Sequence, residues 1–124
     1  MTGDQITLTI PRDEPFREVA HLVLGGVAAR LNLTFEHIDD LETALDAVLE
    51  QAPREGEITV KLKIDEDAIC ASVGPLPADA VRAELASDGE GVTLRRILDT
   101  VVDSYELDEE GWLVLRKQLT EVAA

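Results

Sequence analysis

The stretch that decides the fold runs from Glu57 to Val73: Glu57-Ile58-Thr59-Val60-Lys61-Leu62-Lys63-Ile64, then Asp65-Glu66-Asp67, then Ala68-Ile69-Cys70-Ala71-Ser72-Val73. In the first eight residues every second position is apolar: Ile58, Val60, Leu62 and Ile64. Successive side chains of a strand point to opposite faces, so this alternation describes a strand with one buried face. The second run continues the pattern through Ile69, Ala71 and Val73, and the three acids between them are turn residues. Together they predict an antiparallel hairpin that needs an apolar layer on one side.

The flanking sequence supplies that layer. Before the hairpin, Ile6, Leu8 and Ile10 alternate with Thr7 and Thr9, which predicts a strand ended by Pro11. Asp13-Glu14-Pro15 starts a helix over Phe16 to Leu31, with the stripe Phe16, Val19, Ala20, Val23, Val27 and Leu31. Thr34 is placed to cap a second helix reaching about Gln51, with Ile38, Leu41, Leu45, Val48 and Leu49 on its inner side. Pro53 and Gly56 end it. After the hairpin, Gly74, Pro75, Pro77 and Gly89 mark a loop-rich stretch, in which Pro77 opens a short helix through Leu85. Thr93 to Val102 reads as a helix, Tyr105 to Leu107 as a short strand, Asp108 to Gly111 as a turn and Trp112 to Leu119 as the last strand. Thr120 to Ala124 reads as a frayed tail. The expected fold is an α+β two-layer sandwich, a mixed or antiparallel sheet of about five strands with three main helices on one face. Ile58, Val60, Leu62, Ile69 and Val73 are expected to be buried beneath Val23, Val27, Leu41 and Leu45. No linker or repeat divides residues 1–124, which read as one domain.

Composition limits the partners. The chain has 26 acidic and 11 basic residues, a formal net charge of −15. Nucleic acid is bound by neutralising phosphates with Lys and Arg, so this balance argues against it and favours a basic protein surface. No apolar run approaches the roughly 20 residues of a membrane helix, and no signal peptide is recognisable, so a cytoplasmic location is expected. Cys70, the single cysteine, falls in the alternating stretch and reads as a small buried hydrophobe. His21 and His37 lack neighbouring ligands at metal-binding spacing and read as structural or surface residues.

Three segments together carry a resemblance that covers nearly the whole chain. They are Ala28-Ala29-Arg30-Leu31-Asn32-Leu33 followed by Ile38-Asp39-Asp40-Leu41-Glu42-Thr43-Ala44-Leu45-Asp46-Ala47, the strand Ile69 to Gly74, and Gly91 onward to Val101-Val102-Asp103-Ser104-Tyr105-Glu106. With this order of elements the chain resembles the anti-sigma-factor serine kinases of the GHKL (Bergerat-fold) ATPase superfamily. The resemblance implies a Glu acting as base and, four residues later, an Asn holding magnesium, both on the second helix. The matching positions are Ala47 and Gln51. Ala47 cannot take a proton, so no catalytic residue is assigned. Asp46 and Glu50 are also four apart but one residue earlier, about 100° around the helix; they read as a solvated face.

The family's first glycine motif, whose Asp reads adenine, matches Ala71-Ser72-Val73-Gly74-Pro75, with Ser72 in place of the acid. Its phosphate-covering motif matches Asp88-Gly89-Glu90-Gly91, where two acids would repel phosphate. The resemblance thus leaves Gln51, Ser72, Gly74, Gly89 and Gly91 as candidate nucleotide contacts, with no cofactor expected and ATP with magnesium as the alternative.

Two functions follow from the resemblance. The first is an anti-sigma-factor-like module that binds a sigma factor or an anti-anti-sigma protein without kinase activity. The alternative is an ATP-dependent serine/threonine kinase acting on an anti-anti-sigma protein. A third reading is a dimeric subunit of a larger assembly. A homodimer, or a heteromer, is expected through Leu22 or Leu24 and the Gly25-Gly26 pair, because the first helix has more apolar positions than one stripe can bury.

Overall fold

The structure, a computed structural model, describes residues 5–11, 16–31, 34–52, 56–64, 68–87, 89, 91 and 93–118; residues 16, 17, 20 and 27–31 are described by their backbone alone. The chain runs β1 (Gln5–Pro11), α1 (Phe16–Leu31), α2 (Phe35–Leu49), β2 (Glu57–Ile64), β3 (Ala68–Gly74), α3 (Ala78–Ala86), α4 (Leu94–Val101), β4 (Ser104–Leu107) and β5 (Leu113–Gln118). The five strands form one sheet in the order β1-β2-β3-β5-β4, and every neighbouring pair is antiparallel. The architecture is the expected α+β sandwich, with α3 as a fourth, short helix.

The deciding hairpin has the register that its alternation demands. Val60 pairs with Val73, Leu62 with Ala71 and Ile64 with Ile69, while Lys61 pairs with Ser72 and Lys63 with Cys70. A slip of one residue would turn Ile58, Val60, Leu62 and Ile64 to water. All four are buried, as are Ile69, Ala71 and Val73, and Leu113 and Leu115 of β5 extend the same inner face.

Residues from all four helices join this face in a single apolar cluster: Leu24 from α1, Leu41 and Leu45 from α2, Val81 from α3, Leu94 and Leu98 from α4. Val23 packs against it half-buried, and the side chain of Val27 lies outside the described residues.

The helix starts follow local chemistry. Thr34 Oγ1 accepts from the His37 amide at 3.1 Å, and Thr93 Oγ1 accepts from the Arg96 amide at 3.2 Å. Each bond satisfies an amide that has no partner within its own helix. α2 packs against both α1 and α4 as well as β5. Its buried set is accordingly broad: Leu41, Ala44, Leu45, Ala47, Val48 and Leu49. At its edge Lys117 Nζ of β5 lies 2.9 Å from Asp40 Oδ2, an ion pair that joins α2 to the sheet.

One expectation for α1 needs correction. Leu24 is fully buried, so it belongs to the chain's own core and is closed to a partner. It stands one residue beyond Val23, and contact with α2 as well as β1 widens the buried arc past the sequence stripe. Gly25 and Gly26 are exposed, and a Cβ at either would meet nothing within 4 Å. No close backbone approach within the described part of the chain explains the pair.

Gly111 is the opposite case. Its φ is +94°, and a Cβ there would stand 2.1 Å from the Leu76 carbonyl oxygen. The close approach exists because the Leu76 amide donates to the Gly111 carbonyl at 2.8 Å. These two settings predict opposite effects of one substitution. Gly25→Ala, in an open helix interior, is expected to raise stability by about 0.5–1 kcal/mol. Gly111→Ala is expected to lower it by about 2 kcal/mol or more, from strain and overlap together. Urea unfolding of the two variants beside the parent measures both.

Candidate functional site

α2 carries the position where the resemblance puts a base. Ala47 is 8% exposed and sits in the apolar cluster with Ala44 and Val48. No proton-accepting group stands there. Gln51 lies just past the helix end, half-buried, its amide donating to the Val48 carbonyl at 2.9 Å.

Asp46 departs from the expected solvated face. It is half-buried, and its Oδ1 lies 2.7 Å from His21 Nε2, which ties α2 to α1. A carboxylate held by an imidazole on a neighbouring helix is a packing contact, and it gives His21 the structural role expected for it. Glu50 is exposed.

Ser72 and Gly74 belong to β3, and strand geometry fixes where Ser72 points. Ala71 and Val73 are buried in the core beneath the helices, so Ser72 projects from the opposite, outer face of the sheet, beside Lys61 and Val114. Ala47 lies on the helix side. The fold therefore separates these two positions by the thickness of the sheet.

Gly74 is occupied on its outer side by an indole: a Cβ there would stand 2.6 Å from Trp112 Cδ2. Lys61 Nζ lies 4.8 Å from the centre of the same ring, within cation–π distance. The glycine requirement at position 74 is met by this packing alone. Nothing in the sequence reading gave Trp112 a role beyond opening the last strand; the available signal was a lone tryptophan directly after a turn glycine.

Cys70 also differs from expectation. It projects from the outer face half-buried, with Arg116 Nη1 3.8 Å from its sulfur, because strand alternation puts it in register with Lys63 and Arg116 rather than with the core.

The glycine pair before α4 forms a short looped entry. The Gly89 amide donates to Ser87 Oγ at 3.1 Å, and Gly91, at φ +85°, presents its carbonyl to Arg96 Nη1 at 2.9 Å. Asp88 and Glu90 lie outside the described residues, as do Asn32, Leu33, the 65–67 turn and the 119–124 tail.

Two hollows adjoin α4. One of about 300 Å³ runs between α2 and α4, walled by Thr43, Gly91, Arg96, Ile97, Thr100 and Val101. The other, about 100 Å³, is bounded by Ser87, Arg95, Arg96 and Asp99. Of the five candidate contacts only Gly91 lines either one.

Beside the smaller hollow, Asp99 accepts from the Tyr105 hydroxyl at 2.7 Å and faces Arg95 Nε at 3.7 Å. Burial raises the Tyr105 pKa above its ordinary value of 10.0, and the bond to Asp99 and the charge of that carboxylate raise it further. Among the described residues no group of three or more His, Cys, Asp or Glu side chains is placed to hold a metal ion. No helix among them is long and apolar enough to cross a membrane.

The chain is 28% identical to a serine-protein kinase RsbW of Halalkalibacterium halodurans, over 90% of this chain and 80% of the relative. It is 26% identical to the serine-protein kinase RsbW of Listeria innocua, over 95% of this chain and 89% of the relative. A third, from Bacillus velezensis, is 29% identical over 53% of this chain. No family model matches the chain. These similarities, which extend along most of the sequence, support the resemblance read from its three segments.

Two measurements check the geometry. Ala47→Glu places a carboxylate among apolar side chains and is expected to lower stability by about 2 kcal/mol or more, read by urea unfolding. Tyr105 is the sole tyrosine, so absorbance at 295 nm reports its ionisation. Its folded pKa lies above the unfolded value, so its contribution to stability is fully present below pH 10 and is lost as pH rises through the folded pKa. Asp99→Asn is expected to move the midpoint back toward 10.

Proposed function

We propose that this chain is an anti-sigma-factor-type regulatory module that captures a protein partner, a sigma factor or an anti-anti-sigma protein, and transfers no phosphate to it. The reading is carried by Ala47: the position that matches the family's base holds a methyl group in the hydrophobic core. A positioned base contributes roughly 10²- to 10⁴-fold to a rate. Ser72, on the far face of the sheet, and Trp112, packed on Gly74, support the same reading. It requires no cofactor, and it places the protein in the cytoplasm.

The names of the relatives favour a second reading, an ATP-dependent serine/threonine kinase. In it, Gln51 would take the place of the magnesium ligand, and Gly89 and Gly91 would cover the phosphates.

The reading also includes a homodimer through α1. Leu22 is 76% exposed and is followed on the same helix by the open Gly25-Gly26 pair. Leu24 takes no part. Two copies bring their negative charges together, so salt is expected to strengthen the contact by screening.

Thermal unfolding with and without magnesium-ATP, together with phosphate transfer from labelled ATP to a serine-bearing anti-anti-sigma protein, separates the two functions. The expected result is an unchanged midpoint and no label. A magnesium-dependent ATP affinity near the micromolar range, about −8 kcal/mol, would overturn the non-catalytic reading. Sedimentation at several protein and salt concentrations tests the dimer, and Leu22→Asp is expected to abolish it.

A further inference from the structure

Among the described residues no helix lies on the outer face of the sheet, and this face contains an arrangement that the nucleotide question leaves unused. Lys61 and Lys63 of β2 and Arg116 of β5 project from this face, and Trp112 and Val114 lie beside them. Val114 is 37% exposed, one of the large apolar side chains left in contact with solvent.

Three described cations elsewhere have carboxylate partners. Arg82 faces Asp79 at 3.3 Å, Arg95 faces Asp99 at 3.7 Å and Lys117 faces Asp40 at 2.9 Å. Lys61 and Lys63 have no carboxylate at ion-pair distance among the described residues, although the chain contains 26 acids. Of the described carboxylates on this face, Glu57 stands at its end, opposite Pro11, and Glu106 stands on the edge strand β4, opposite Val114.

We infer that this face is a docking surface for an acidic segment of a protein partner, whose carboxylates meet Lys61 and Lys63 while an apolar side chain rests on Trp112 and Val114. The occupant follows from charge complementarity. A chain of net charge −15 repels an acidic partner over most of its surface, so the approach is steered to its cationic face. A half-buried indole and an exposed valine beside the cations supply apolar area that a purely ionic contact lacks, and tryptophan is enriched among residues that anchor interfaces. The inference rests on the protein-binding reading above and names the surface and chemistry of one partner.

Trp112 is the sole tryptophan, so its fluorescence reports on this face directly. The full chain is titrated at low ionic strength with a tryptophan-free peptide of alternating glutamate and leucine, with a lysine–leucine counterpart and with polyuridylate. The expected result is a saturable emission change with the glutamate peptide and none with the lysine peptide at this ring. Midpoints are compared rather than baselines, because Lys61→Glu also removes the cation over the indole. Lys63→Glu, which leaves that contact in place, is expected to weaken binding about tenfold, and the double variant more. No saturable change with the glutamate peptide, or equal midpoints in parent and variants, would overturn the inference. Stronger saturation by polyuridylate would overturn it too and assign the face to nucleic acid. A positive phosphate-transfer assay would refute the non-catalytic reading without moving this titration, so the two fail separately.

Discussion

Everything in this molecule depends on the burial of α2 on three sides. The helix lies on the inner face of the sheet and is flanked by α1 and α4, and its apolar arc runs from Leu41 through Leu49 with the alanines 44 and 47 inside it. The alanines are there because helix and neighbours approach closely; dense interiors leave no room for longer side chains without displacement. The same packing that holds the fold therefore dictates what position 47 can be.

The outer layer is built on a different principle. Lys61 over the Trp112 ring, and the indole on Gly74, close the gap between β2, β3 and the start of β5 from the solvent side. The Leu76–Gly111 backbone bond fastens the loop after β3 to the turn before β5. The region that resembles an adenine-reading motif is thus a structural junction between two loops. Glycine serves both uses for the same reason, since it lacks a Cβ that would hold a neighbour away, and a glycine pattern alone does not say which neighbour it admits.

The helix pairs are joined by polar contacts that add specificity to the apolar packing. His21 and Asp46 connect α1 to α2, Asp40 and Lys117 connect α2 to the sheet, and Tyr105 and Asp99 connect β4 to α4. Each ties residues on separate elements. They also give structural partners to His21, Asp46 and Tyr105.

The sequence by itself determined the strands, the helices and the sheet's inner face. Alternation at period two and stripes at period 3.6 are local consequences of backbone geometry, so Ile58 to Ile64 and Leu41 to Leu49 were legible without neighbours. The tertiary structure decided what periodicity does not encode. It buried Leu24, because contact with α2 and β1 widens the covered arc of α1. It gave Asp46 a partner 25 residues away, and it set Trp112 against Gly74. These are long-range contacts, and their partners are fixed by how the layers stack rather than by any residue's immediate neighbours.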